Sequence, residues 1–123
     1  MTRDDMKLVF VAGPFTAPLP AEVAYNIRQA RAVARIVASV SGLFPVVTHN
    51  LSDGLALIGD YEFWLCGAIA ILRKSDAVVM VPGWQGSTGS TAAVTEARRL
   101  RIPIFEGDKL REQLLRWVTT SGK

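Results

Sequence analysis

Hydrophobic positions along this chain fall into short runs separated by longer stretches in which apolar residues return every three or four places. The first run, Lys7-Leu-Val-Phe-Val-Ala12, is apolar without alternation and stops at Gly13-Pro14. A strand of that kind is covered on both faces, as in a parallel sheet. After a loop holding Pro14, Pro18 and Pro20, the spacing of Ile27, Ala30, Ala34, Val37 and Ser41 predicts a helix from Ala21 to about Ser41, with Gly42 as its stop. Phe44-Pro-Val-Val-Thr48 predicts a second strand, and His49 to Gly59 a loop. Asp60 caps a helix from Tyr61 to Lys74 whose inner stripe is Trp64, Ala68, Ile71 and Leu72. Asp76-Ala-Val-Val-Met-Val81 is the third strand, and Pro82 to Gly89 a glycine-rich turn. A helix from Ser90 to about Leu100, a strand Ile102-Pro-Ile-Phe105 and an amphipathic helix Asp108 to Val118 complete the pattern.

Strands alternating with helices require right-handed crossovers and so a parallel sheet. The expected fold is α/β: a three-layer, Rossmann-like (flavodoxin-like) parallel sheet of about four to five strands with helices on both faces. With 123 residues and no repeat, linker or low-complexity segment, residues 1–123 are expected to form one domain.

Composition narrows the function classes. Half of the residues are hydrophobic and 20% are charged, an ordinary globular balance. The net charge of +3 comes from arginines spread along helices (Arg28, Arg31, Arg35; Arg98, Arg99, Arg101), without the dense patch of a nucleic-acid surface. Such a charge still attracts a phosphorylated small molecule. The single cysteine, Cys66, excludes an intrachain disulfide and, within its apolar run, reads as a buried structural thiol. No signal peptide or membrane span is legible, so the expected location is cytoplasmic. His49 is the only histidine and has no acidic or cysteine cluster beside it, which argues against a metal site; no cofactor is expected.

In an open parallel sheet, ligands bind beyond the carboxyl ends of the strands. That rule selects Gly13 to Thr16, His49 to Asp53, and Pro82 to Ser90. The last, Pro82-Gly-Trp-Gln-Gly-Ser-Thr-Gly-Ser-Thr91, places glycines and hydroxyls before a helix start, where amide N–H groups favour an oxyanion. It lacks the Gly-Lys-Ser/Thr of a P-loop. A plain turn with a serine cap explains it equally well. In the first loop, Gly13 allows close approach and Phe15 offers a stacking face, although a turn stiffened by Pro14 with Phe15 in the core fits too. His49 and Asn50 stand at the productive edge of the second strand. Trp84 reads as stacking on or shielding a ligand, whereas Trp64 and Trp117 sit on core stripes.

Taken together, Val9-Phe-Val-Ala-Gly-Pro14, Asn26-Ile, His49-Asn50, Trp64-Leu, Ser75-Asp-Ala-Val-Val79, Val81-Pro-Gly-Trp84, Ser87-x-Gly89 and Ala97-x-x-Leu100-x-Ile-Pro103 resemble the nucleoside 2-deoxyribosyltransferase-like family, over about residues 7 to 106. The resemblance is to its short phage and bacterial members. It implies N-glycosidic chemistry, in which a carboxylate attacks the anomeric carbon of a nucleoside or nucleotide and a glycosyl-enzyme is resolved by water or a second base. The family's glutamate nucleophile lies six residues after the serine or aspartate of its motif, and counting from Ser87 gives Ala93. Its substrate-orienting aspartate lies eight residues before the aspartate that opens the third strand, and here that is Ala68. Three explanations stand: an alanine introduced to trap substrate, a natural relative that has lost catalysis, or Glu96 acting as the nucleophile. The last asks a group about 4.5 Å along the helix to make near-contact attack.

The resemblance also implies a substrate class. Free-nucleoside transferases place aspartate where this chain has Ser87, and a hydroxyl suits phosphate better. The expectation is a nucleoside 5′-monophosphate N-glycosidase scaffold, hydrolase-like, inactive in this exact chain, and a homodimer or homotetramer. Its substrate-binding residues would be Phe10, Gly13, Pro14, Phe15, His49, Asn50, Trp84, Ser87 and Gly89, with Phe10 standing where relatives have tyrosine. The alternatives are a catalytically silent nucleotide-binding module, a deoxyribosyltransferase, or a relative of the cytokinin-activating phosphoribohydrolases. The last is suggested by Pro82-Gly-x-x-Gly86-Ser, although Trp84 replaces that family's second glycine.

Overall fold

The computed structural model describes residues 5–15, 19–48 and 59–121. Four strands form one parallel sheet: β1 (Lys7–Ala12), β2 (Leu43–Val46), β3 (Ala77–Met80) and β4 (Ile104–Phe105), in the order β2-β1-β3-β4. Among the described residues four α-helices connect or follow them: α1 (Pro20–Ala38), α2 (Tyr61–Leu72), α3 (Thr88–Arg99) and α4 (Leu110–Ser121). The chain is thus an α/β Rossmann-like domain. No helix among the described residues is long and apolar enough to cross a membrane.

The unbroken apolarity of β1 follows from its two-sided burial. Val9 and Val11 face a core shared with Ala77, Val79 and Val81 of the β3 segment, Ala30, Val33 and Val37 of α1, and Leu110 and Leu114 of α4. Phe10 and Ala12 face the opposite core, with Val78 and Met80 of β3, Leu72 of α2, and Ala93, Val94 and Ala97 of α3. Period-two alternation therefore persists, but both sides are apolar.

Asp76 locks the two central strands together before they pair. Its carboxylate accepts from the Leu8 amide at 2.8 Å, and its own amide donates to the Leu8 carbonyl at 2.8 Å. At the other end the Val81 amide donates to the Ala12 carbonyl, also at 2.8 Å.

Pro20 occupies the first turn of α1, where its missing N–H costs nothing. The helix ends at Ala38, short of Ser41. The turn that follows needs Gly42 at φ 91°, and the Gly42 carbonyl accepts from the Lys7 amide, which ties the turn to the start of β1. β2 begins one residue before the expected Phe44 because its register sets Leu43 beside Lys7.

One expectation fails. Cys66 is exposed, not buried. Helix α2 is apolar nearly all round, so its pattern does not say which side faces in. The packing turns Leu72 inward and leaves Phe63, Cys66, Gly67 and Ala70 exposed, the first three of them toward the open space beside the sheet.

Candidate functional site

A cavity of about 720 Å³ lies beyond the carboxyl end of β1, between the sheet, α2 and the start of α3. This is where the chain order reverses, with β2 on one side of β1 and β3 on the other. Its floor is Phe10, Ala12 and Gly13, its α2 wall includes Trp64, Ala68 and Ile71, and its α3 wall is Ser87, Gly89, Ser90 and Ala93.

The α3 wall is built by the glycine-rich loop. Gly83 takes φ 87°, a left-handed conformation that favours glycine, and opens a 3-10 turn over Trp84–Gly86. The Ser87 amide donates to the Trp84 carbonyl at 2.9 Å, which sets Ser87 in extended backbone as the N-cap of α3. Ser87 Oγ accepts from the Ser90 amide at 3.2 Å. Its own hydroxyl proton remains to donate, beside a helix terminus that carries partial positive charge. Trp84 Nε1 donates to Glu106 Oε1 at 2.9 Å, strapping this loop to the residue after β4.

The two alanines at the family's acidic positions meet here. Ala93, 4% exposed, and Ala68 both line the cavity, from α3 and α2 respectively. Among the described lining residues the only carboxylate is that of Asp60, which caps α2 by accepting from the Phe63 amide at 2.9 Å. Glu96 is not in the wall. It bridges Arg73 and Arg99, with nitrogen–oxygen distances of 2.7 Å to each. Hydrogen bonds from Arg99 and then Arg73 hold its pKa down to about 2. A carboxylate committed to two guanidinium groups outside the cavity has neither the place nor the freedom of a nucleophile.

Of the other residues singled out in the sequence, Phe10, Gly13, Phe15, Ser87 and Gly89 share this cavity. Pro14 and Trp84 do not line it, and His49 and Asn50 lie outside the described residues, although Thr48, just before them, is in the wall. Phe15 is fixed through its carbonyl, which accepts from Asn26 Nδ2 at 3.2 Å.

Two of the cavity glycines, Gly13 and Gly89, have close neighbours where a side chain would start, hard against Val81 for the first and only tight against the tip of Tyr61 for the second. A Cβ on Gly13 would stand 2.5 Å from Val81 Cβ, and one on Gly89 would stand 3.3 Å from Tyr61 Oη. Sequence reasoning missed Asp60, Phe63, Trp64 and Ser90 as wall residues. Ser90 was legible only as a helix start, and the wall face of α2 is hidden by apolarity on both sides.

A parallel sheet with helices on both faces, and a cavity at the end where such sheets hold ligands, defines a Rossmann-like α/β domain. Within that class the chain belongs to the family described as Domain of unknown function (DUF4406), whose model matches residues 7–106. The matched span contains all four strands and helices α1 to α3. Comparison with curated proteins and with solved structures returned no match.

Proposed function

We propose that the cavity binds a nucleoside 5′-monophosphate, and that this chain holds the nucleotide without cleaving its N-glycosidic bond. The observation that carries the reading is the convergence of Ser87, Ala68 and Ala93 on one cavity. The positions that the resemblance assigns to phosphate binding and to the two acids share that space, and both acids are absent. The α3 N-terminus and the Ser87 hydroxyl suit an oxyanion. Phe10, Phe15 and Phe63 supply aromatic surface for a base, and the volume falls within the usual small-molecule range. The scaffold is that of an N-glycosidase, and the chemistry is missing with the carboxylates.

Isothermal titration against matched nucleosides and 5′-monophosphates tests the binding. Monophosphates are expected to bind at least tenfold more tightly, with no base released on long incubation. A preference for the free nucleosides removes the phosphate assignment. Ala93→Glu combined with Ala68→Asp then separates a disabled glycosidase from a binding module. Base release in the double variant supports the former, and tight binding with continued inactivity the latter.

A further inference from the structure

Two polar atoms in the cavity wall have no partner. Ser90 is 2% exposed and its Oγ makes no hydrogen bond; Trp64 Nε1 is equally shut off from solvent and equally unpaired. Both residues line the same cavity, one from the first turn of α3 and one from α2. Buried groups of this kind are almost always satisfied, so a pair of exceptions in one wall calls for a reason. As the wall stands both atoms are covered, so a ligand meets them only once a side-chain rotation turns them into the cavity.

The two groups differ in what they accept as partner. An indole N–H only donates, so the atom opposite Trp64 must be an acceptor. A serine hydroxyl donates or accepts, and rotation about its single side-chain torsion carries Oγ among three staggered positions. Ser90 lies one turn from the Ser87 cap, beside the partial positive charge of the helix start. Trp64 belongs to the aromatic side of the cavity, where Phe63 meets it edge-on with ring centroids 5.1 Å apart. The other tryptophan near this end, Trp84, already has its N–H on Glu106.

Resting on the nucleotide reading above, we infer that Ser90 and Trp64 are ligand-contacting residues that grip opposite parts of the nucleotide. The Ser90 hydroxyl bonds an oxygen of the phosphate–sugar portion, and the Trp64 indole N–H bonds an acceptor atom of the base, a carbonyl oxygen or a ring nitrogen. Trp64 is then the residue through which the cavity senses the base. Inorganic phosphate would engage Ser90 and leave Trp64 untouched.

The chain has three tryptophans, so its indole N–H region in a proton–nitrogen correlation spectrum contains three resonances, which Trp64→Phe and Trp84→Phe assign. The unaltered protein is titrated with the 5′-monophosphates of the common nucleosides and, separately, with inorganic phosphate. The expected result is that a binding monophosphate moves the Trp64 resonance downfield, further than those of Trp84 and Trp117, while inorganic phosphate leaves it in place. Loss of one hydrogen bond in Trp64→Phe should weaken the monophosphate about 5- to 10-fold without changing the affinity for inorganic phosphate, and Ser90→Ala should weaken both by a similar factor.

A monophosphate that binds while the Trp64 resonance stays still overturns the inference and leaves the nucleotide reading intact. That spectrum is recorded on the unaltered chain, so poor folding of a variant does not blunt it. If no monophosphate binds, the nucleotide reading fails and this inference fails with it.

Discussion

Gly13→Ala tests whether the glycine after β1 serves the ligand or the fold. The Ala12 carbonyl and the Val81 amide are bonded at 2.8 Å, so the two chains leave the sheet pinned together. A Cβ added to Gly13 meets Val81 Cβ at 2.5 Å, Cγ2 at 2.6 Å and Cγ1 at 3.3 Å. The first of these is fixed to the backbone and no rotamer change moves it. Val81 is 1% exposed, within the core shared by β1, α1 and α4, so it has no space into which to retreat. Overpacking of a rigid core costs about 1–3 kcal/mol, and a clash on a Cβ belongs at the upper end, about 2–3 kcal/mol. For a domain of this size that corresponds to a fall in Tm of about 8–12 °C. Thermal melts and urea titrations of the ligand-free variant measure it, with the urea slope unchanged if only stability has altered. Val81→Gly removes all three clashing atoms. The double variant should therefore be more stable than the sum of the single losses by at least about 1 kcal/mol. A Gly13→Ala protein within about 0.5 kcal/mol of the parent, the range of a neutral substitution, would refute the packing argument and return Gly13 to the ligand.

Three further outcomes follow from the site. Glu96 is held by Arg99 and Arg73 with its pKa lowered from 4.5 to about 2. Its contribution to stability is therefore complete above about 4.5 and fades as pH falls toward 2. Glu96→Gln should lower the Tm at neutral pH and flatten the Tm–pH curve between those values; identical curves would show that the bridge adds nothing. Trp84→Phe removes the donor to Glu106 from outside the cavity wall. It should cost about 1 kcal/mol in denaturant melts and leave nucleotide affinity unchanged, and a loss of affinity would return Trp84 to the binding residues. Asp60→Ala removes the side-chain cap of α2 and should cost about 1 kcal/mol, read from the urea midpoint.

Several features of this protein are set by local sequence alone. The unbroken run from Lys7 to Ala12 requires a strand covered on both sides, and the spacing after Pro20 requires a helix, because each pattern buries its apolar groups in only one kind of element. Asp60 as a cap was equally legible, since the carboxylate reaches the amide three residues on. The alanines at 68 and 93 were visible by counting. Other features depend on elements far apart in sequence. Helix α2 is apolar on nearly every side, so only its packing on α3 and the sheet exposes Cys66 and turns Trp64 toward the cavity. Helix α3 starts at Thr88, not Ser90, because the 3-10 turn at Trp84 sets Ser87 in the capping conformation, and this leaves Ser90 inside the wall. Gly13 looked like a residue kept small for a ligand, and it is the pinching of two strands 68 positions apart that gives Val81 first claim on the space. Sequence determines which elements form because hydrophobic burial repeats with their periods. Tertiary structure decides which residues share a cavity, because that depends on which faces of separate elements are turned toward one another.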